Sequence, residues 1–573
     1  MTVSATTPVD TAVPKRGAAT LKRDIDDWVL LAGVTVIALW LILTLALPLG
    51  VLLIKSVQNA QGEFVGLADY ARYFETPSLV TSLWNSIWVS LLTTAIVVPL
   101  AFGYSYAIRR TAMPLKPLFM ALALLPLFAP SLLSALSFIY IFGNQGFLKD
   151  LLAGNSVYGP IGIIISMVFY VFPHAMLILM TALALADQRH YEAAKVLGTP
   201  SRRVFWTVTL PGAKYGLISS AFVVFTLSIT EFGIPKVIGG QFNVLATDAY
   251  RQVVGQQNFE MGAVVGFILL IPAILAFAVD RYIQKQQVSL LSARAVPLIP
   301  VRNGLADTLS LAYCAVVGGL IAGIVGVAVW ASSITYWPYN LTPTLKNYEF
   351  GEFDASGWDA YWNSLTMSAI VAVVGTAFVF VGAYLVEKGK GLATGRGLIQ
   401  LLAMIPMAVP GLVLGLAYVF YINNPWNPLG FLYGTILVLA INSIAHFYTV
   451  AHMTAVTALK QVDPEFESVS ASLKVPQYRT FQRVTVPICL PAILDIAVYL
   501  FVNALTTVSA VIFLYGADTK LASIQIVHMD EAGATAGAAA VATILFLTAL
   551  LVKITHLILD RAVFARLQAW RIR

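Results

Sequence analysis

Long apolar runs and short polar segments alternate along this chain, and the runs number twelve. They lie near residues 28–54, 84–108, 117–142, 160–184, 213–237, 260–280, 309–333, 363–386, 397–421, 431–457, 488–514 and 537–559. About 20 apolar residues carry a helix across the ~30 Å of bilayer hydrocarbon. The pattern therefore predicts an all-α membrane protein with about twelve transmembrane helices, the run at 260–280 being the shortest.

Composition agrees with a lipid environment. The chain is 59% hydrophobic and 11% charged, with a mean hydropathy of +0.81, well outside the range of soluble domains. Its 35 basic residues then orient it: with both termini in the cytoplasm, 28 of them fall on the inner side. Such a bias is what the positive-inside rule describes. The net charge of +7 is thus a signal of topology, and no basic, aromatic-interleaved surface argues for nucleic acid. On this reading 57–82 and 334–362 face the periplasm, while 186–212, 281–308 and 460–487 face the cytoplasm. The run beginning at Trp28 is too long for a signal-peptide core, so residues 1–26 are expected to be a cytoplasmic tail. Cys314 and Cys489 have no metal-ligand spacing and are expected to be core residues.

The polar segments reveal a repeat. Glu192-Ala193-Ala194-Lys195-Val196-Leu197-Gly198, then Pro200, Arg203, Phe205, Val208, Thr209, Leu210 and Pro211, lines up without a gap on Glu467-Ser468-Val469-Ser470-Ala471-Ser472-Leu473-Lys474, then Pro476, Arg479, Phe481, Val484, Thr485, Val486 and Pro487, 276 residues on. Elsewhere Trp84-Asn85-Ser86 recurs as Trp362-Asn363-Ser364, Pro126 and Pro130 as Pro406 and Pro410, and Asp187 as Asp463. The chain divides into a first unit at 27–283, a polar linker at 284–308 and a second unit at 309–573. Two six-helix units joined this way share one orientation.

Local chemistry gives each loop a shape. Asp187 can cap a short helix through Glu192 to Leu197, Gly198 supplies a left-handed end, and Thr199-Pro200 offers a cap and first helical residue for the next segment. Pro211 stands where a fresh membrane helix begins. Ala193 and Ala194 are small enough for a partner surface to come close.

Glu-Ala-Ala, three residues, Gly, nine residues and Val-x-Leu-Pro resemble the EAA loop of binding-protein-dependent ABC transporter permeases. That resemblance implies type I importer units in the inner membrane, whose loops act as coupling helices against a dimer of ABC ATPase subunits. It also implies a periplasmic solute-binding protein as partner. Glu192, Ala193, Ala194, Gly198, Leu210 and Pro211 match the motif. The second copy departs from it: Ser468 stands at the Glu position with Glu467 one residue earlier, Val469 and Ser470 replace the alanines, and Lys474 replaces the Gly. A one-residue step turns a side chain ~100° round a helix, so Glu467 is not expected to act as Glu192 does, and a turn at Lys474 is expected to differ in shape. Val486 and Pro487 close the second copy. Fused double units resemble the ferric iron, thiamine and 2-aminoethylphosphonate importers. Glu231-Phe232-Gly233-Ile234-Pro235 through Gly240, and Thr507 through Tyr515, are most similar to the 2-aminoethylphosphonate kind.

Catalytic signatures are missing from the sequence: it has no G-x-x-x-x-G-K-[ST] loop for a nucleotide phosphate, and no H-E-x-x-H or G-x-S-x-G. ATP and Mg are accordingly expected on the partner ATPase, with no cofactor on this chain. Ionisable and polar residues inside a membrane are functional candidates by default. Glu231, Asn503 and Thr507, the last aligned with Glu231, are the candidates for a translocation pathway. Lys236 and Glu231 are expected to pair locally or reach the interface, and His174 and His446 to be hydrogen-bonded core residues. The membrane segments display no cluster of carboxylates, tyrosines or histidines suited to iron and no basic cage for phosphonate, so selectivity is expected to rest with the external protein. A major facilitator carrier also has two parallel six-helix halves. The loop Arg109 to Lys116 lacks the Gly and Asp that such a carrier would have there.

Overall fold

The computed structural model describes residues 25–289, 296, 298–389 and 391–561; the expected N-terminal tail up to residue 24 and the chain after 561 lie outside them. Among the described residues nine helices are long and apolar enough to cross a membrane, and three bent pairs bring the number to twelve. In chain order these spans are 1, Asp26–Lys55; 2, Pro77–Arg110; 3, Lys116–Phe128 with Ser131–Phe142; 4, Pro160–Ala184; 5, Ser201–Gly212 with Lys214–Thr230; and 6, Phe259–Ile283. The second set is 7, Gly304–Ala331; 8, Asp359–Lys388; 9, Ala393–Ala408 with Gly411–Ile422; 10, Ile436–Lys460; 11, Gln477–Thr506; and 12, Thr535–Leu559. One antiparallel hairpin, Ile334–Tyr336 with Asn340–Pro343, departs from the all-helical expectation.

Spans 3 and 9 turn through 101° and 115° at the same place in each unit. Pro130 and Pro410 follow the breaks, and Ala129 and Val409 before them are extended, with ψ of 137° and 116°. The ring of a proline disfavours helical geometry in the residue before it, so the apolar runs at 117–142 and 397–421 cannot be single rods. Two further expectations also change. The runs at 213–237 and 488–514 stop being helical early, at Thr230 and Thr506, and Glu231 and Thr507 are extended, with ψ of 130° and 137°. Hydrophobicity persists past both points, because the following segments remain buried, and buried chain reads the same in sequence whether it is helical or not.

The units exchange their first helices. Span 1 lies against spans 8 and 9 of the second unit: Trp40 stacks on Phe378 at 5.0 Å, and the buried Tyr418 hydroxyl donates to the Thr44 carbonyl at 2.6 Å. Span 7 lies against spans 2 and 3 of the first unit, where Tyr313 donates to the Leu100 carbonyl at 2.8 Å. Between the units, helix continues to Ser289; residues 290–295 and 297 of the expected linker are outside the description. Val296 and Ile299 are tied to Gln188 through their backbones.

Candidate functional site: paired loops and the cavity between the units

Both loop motifs fold into a short helix, a left-handed residue and a second turn. The first helix, Gln188–Val196, is capped by Asp187, whose carboxylate accepts from the Arg189 amide at 3.0 Å. Hydrogen bonds from Arg189 hold that carboxyl well below the usual carboxylate range. Gly198 takes φ +63°, and the amides of Leu197, Gly198 and Thr199 return to the carbonyls of Ala193, Lys195 and Ala194. In the second loop, Glu465–Ser472, the amides of Leu473, Lys474 and Val475 return to Val469, Ala471 and Ser470 in the same way, and Lys474 takes φ +53°. The expected difference in turn shape is therefore absent. The hydrogen bonds that close the helix outweigh the ~1 kcal/mol that a side chain adds at positive φ. The next helical segments begin at Ser201 and Gln477, with Pro200 and Pro476 as their caps. Pro200 thus sits one position earlier than expected, a shift within ordinary fraying.

Side chains separate the two copies. Glu192, Ala193 and Gly198 are exposed and Ala194 is buried; Ser468, Val469 and Lys474 are exposed. Glu192 accepts from Gln188 at 2.6 Å within its own helix. Glu467 turns inward to Lys388 Nζ at 2.9 Å, a charge contact outside hydrogen-bond geometry. Leu197 and Leu473 stand 81% and 70% exposed, beside the exposed Val196 in the first loop and Val469 in the second. Both leucines are paired in the alignment, at matched positions next to the left-handed residue. Leu210, Pro211, Val486 and Pro487 belong to the roots of spans 5 and 11 rather than to the loop tips. Each root follows a π-helical turn whose phenylalanine ring seats on the second span of its unit, span 2 or span 8. Phe205 meets Phe102 and Tyr106 at 6.1 and 6.0 Å, and Phe481 meets Phe380 and Tyr384 at 6.0 and 4.5 Å.

At their far ends spans 5 and 11 lead into one cavity of about 110 Å³. Glu231, Asn503 and Thr507 all line it, together with Tyr170, His174 and His446. Glu231 Oε1 accepts from the Gly233 and Ile234 amides at 3.0 and 3.4 Å, and Asn503 donates to the Tyr499 carbonyl at 2.8 Å. The cavity forms where helices are interrupted: the break in span 3 contributes Pro126, Ala129 and Ser131. Non-helical backbone at membrane depth is tolerated where it lines such a space. Histidines 174 and 446 are not the satisfied core residues expected. Neither Nδ1 has a hydrogen-bond partner among the described residues. Residues distant in sequence, one carboxyl, one tyrosine and two histidines, converge here. No three His, Cys, Asp or Glu among the described residues gather closely enough to hold a metal. Lys236 does not pair with Glu231; it crosses to Glu531 of the second unit at 2.5 Å and lies 4.7 Å from the Tyr250 ring centre.

Comparison with known proteins follows the same twofold division. The model of the family described as "Binding-protein-dependent transport system inner membrane component" matches residues 96–288 and again 390–565. A Haemophilus influenzae protein named as a ferric transport system permease is 28% identical over 463 residues, covering 77% of this chain and 71% of its own length. The ferric transport system permease protein of Actinobacillus pleuropneumoniae is 27% identical over 490 residues, covering 82% and 70%. A Salmonella choleraesuis protein named for 2-aminoethylphosphonate transport is 25% identical over 260 residues, covering 42% of this chain and 91% of its own length. With both halves matched by one family model and twelve spans in two sets, the chain belongs to the binding-protein-dependent inner membrane permeases of ABC transporters, two units fused in one polypeptide.

Proposed function

We propose that this permease receives a small solute from a periplasmic binding protein and passes it inward by alternating access, driven by two ATPase subunits seated on the helices Gln188–Val196 and Glu465–Ser472. The observation that carries this reading is mechanical. Beyond each loop helix and its left-handed turn, a second short helix runs through a π-helical turn into the rest of span 5 or span 11, and the first residue beyond each span, Glu231 or Thr507, lines the cavity. Drawing the two loops together would move both walls of that cavity. Glu192, Ala193, Gly198, Leu197 and Leu473 would meet the ATPase, and hydrolysis would occur on that partner. The termini and the linker would face the cytoplasm. A single cysteine at Val301, which is 80% exposed, should resist an impermeant reagent added from outside; labelling there would overturn the orientation.

For the solute, 2-aminoethylphosphonate is the reading preferred here. Its ammonium would find oxygen acceptors in the Glu231 carboxyl and the Asn503 side chain, which line the cavity. Ferric iron is the second reading, favoured by two relatives whose matches run through both halves. Deleting the gene from a host with no other importer should abolish growth on 2-aminoethylphosphonate as nitrogen or phosphorus source. Unchanged uptake of the labelled compound with a defect in iron acquisition would establish the second reading instead.

A further inference from the structure

Beside the first loop helix lies a second cavity, of about 510 Å³, that the transport cycle does not use. Arg109, Arg110 and Lys116 line it, with Met120, Leu183 and Leu298 as apolar wall. Arg110 donates Nη2 to the Leu183 carbonyl at 3.2 Å, and its guanidinium lies 4.9 Å from the ring centre of Tyr191 on the loop helix. Its Nε and Nη1 are buried without a hydrogen-bond partner among the described residues. Arg110 is half-buried with no carboxylate of the described residues in an ion pair with it, and a partly desolvated cation without a counter-charge is costly. Asp307, the carboxylate that faces Lys116, accepts from the amides of Ala112 and Asn303. Lys116 Nζ donates to the Thr111 carbonyl at 2.5 Å.

The repeat shows what is missing. On the long-helix register that aligns Trp84 with Trp362, Arg110 corresponds to Lys388; on the loop register Tyr191 corresponds to Glu467. In the second unit, then, the cation at this position meets a carboxylate of the loop helix at 2.9 Å, and the neighbouring Arg396 is satisfied by the carbonyls of Val386 and Gly391. The first unit has the cation, a neutral ring where the carboxylate would be, and empty space alongside. We propose that this cavity binds a phosphate-type anion, which supplies to Arg110 in the first unit the charge that Glu467 supplies to Lys388 in the second. Two guanidinium groups and an ammonium lining one space, Arg109, Arg110 and Lys116, suit the oxygens of a phosphate, and basic pockets between membrane helices take lipid headgroups. The shared chemistry is a phosphate monoanion or dianion, from an anionic lipid or from a soluble phosphate. Because Tyr191 is part of the loop helix and Leu298 of the linker tied to Gln188, the occupant would brace the first loop and leave the second untouched.

The test uses the full chain in a phosphate-free detergent, with phosphatidylglycerol in one arm and inorganic phosphate in the other, followed by melting temperature and native mass spectrometry. Stabilisation in the lipid arm, the phosphate arm or both identifies the source. The double variant Arg110→Gln with Lys116→Gln should weaken the apparent affinity about tenfold or more, whereas Lys388→Gln should leave it unchanged. Leu298→Trp, which fills the cavity with the charges in place, should remove the effect even if the double variant folds poorly. Tyr191→Glu, which brings in the second unit's carboxylate, should raise the melting temperature without ligand and abolish the ligand's effect. No stabilisation in either arm, or binding retained in both the double variant and Leu298→Trp, overturns the proposal, and neither result depends on which solute is transported.

Discussion

The two levers that join loop to cavity share a backbone plan and differ in one bend. Span 5 turns through 61° between Ser201–Gly212 and Lys214–Thr230, while the matching stretch of span 11, Gln477–Thr506, is one helix. Pro211 and Pro487 are equivalent and so cannot explain the difference. The residue after each does: Gly212, a poor helix former, stands opposite Ile488, and Ala213 after it leaves helical geometry with ψ of 0°. Matching loops thus lead into unequal spans. The first would transmit movement through a hinge and the second as a rod, and the cavity walls they reach carry a carboxylate on one side and a hydroxyl on the other.

The largest effect is expected where the two copies agree. Leu197→Asp and Leu473→Asp should each reduce ATPase copurification and uptake by about tenfold or more, since burying a leucine contributes ~1.5–3 kcal/mol. The melting temperature should not change, because both side chains are exposed in the isolated chain. If only one variant fails, energy enters through a single loop and the comparison collapses.

Where the copies differ, the phenotype should differ in kind. Glu192→Lys should abolish uptake at unchanged melting temperature. Glu467→Lys sets two cations together beside Lys388 and should lower stability by about 1–2 kcal/mol, discounted for partial solvent exposure, as read by a denaturation series. A fall in stability for Glu192→Lys would erase the distinction. Straightening span 5 with Gly212→Ile should add about 0.5 kcal/mol of helix stability while slowing uptake; uptake at the parental rate would show that the bend has no part in transport. The smallest change is Lys474→Gly, which relieves positive φ and should shift stability by about 0.5 kcal/mol or less with uptake intact.

Much of this was legible in the residues. Apolar runs located all twelve spans, and the repeat located both loops and the alignment of Glu231 with Thr507. The bends were half visible: Pro130 and Pro410 were paired in the alignment, but a hydrophobicity pattern carries no angle, so the apolar runs read as rods. The helix ends at Thr230 and Thr506 were invisible for the same reason. What the sequence could not show was convergence. Tyr170 and His174 come from span 4, His446 from span 10, Asn503 from span 11 and Glu231 from the chain after span 5, and only packing brings them to one cavity. The inward turn of Glu467 is a similar case, since it depends on Lys388 arriving from another span.

The exchange of first helices bears on how this protein is made. Span 1 finds its main neighbours in spans 8 and 9, so the ribosome must add more than half of the chain before the earliest helix has anything to settle on. At ~5–20 residues per second that interval is on the order of tens of seconds, during which Trp40 and the Thr44 carbonyl face lipid or an insertion factor rather than Phe378 and Tyr418. A chain cut at the linker would part span 1 from spans 8 and 9 despite the clean tandem repeat, and carrying both halves in one polypeptide keeps their supply equal, as such interlocking demands.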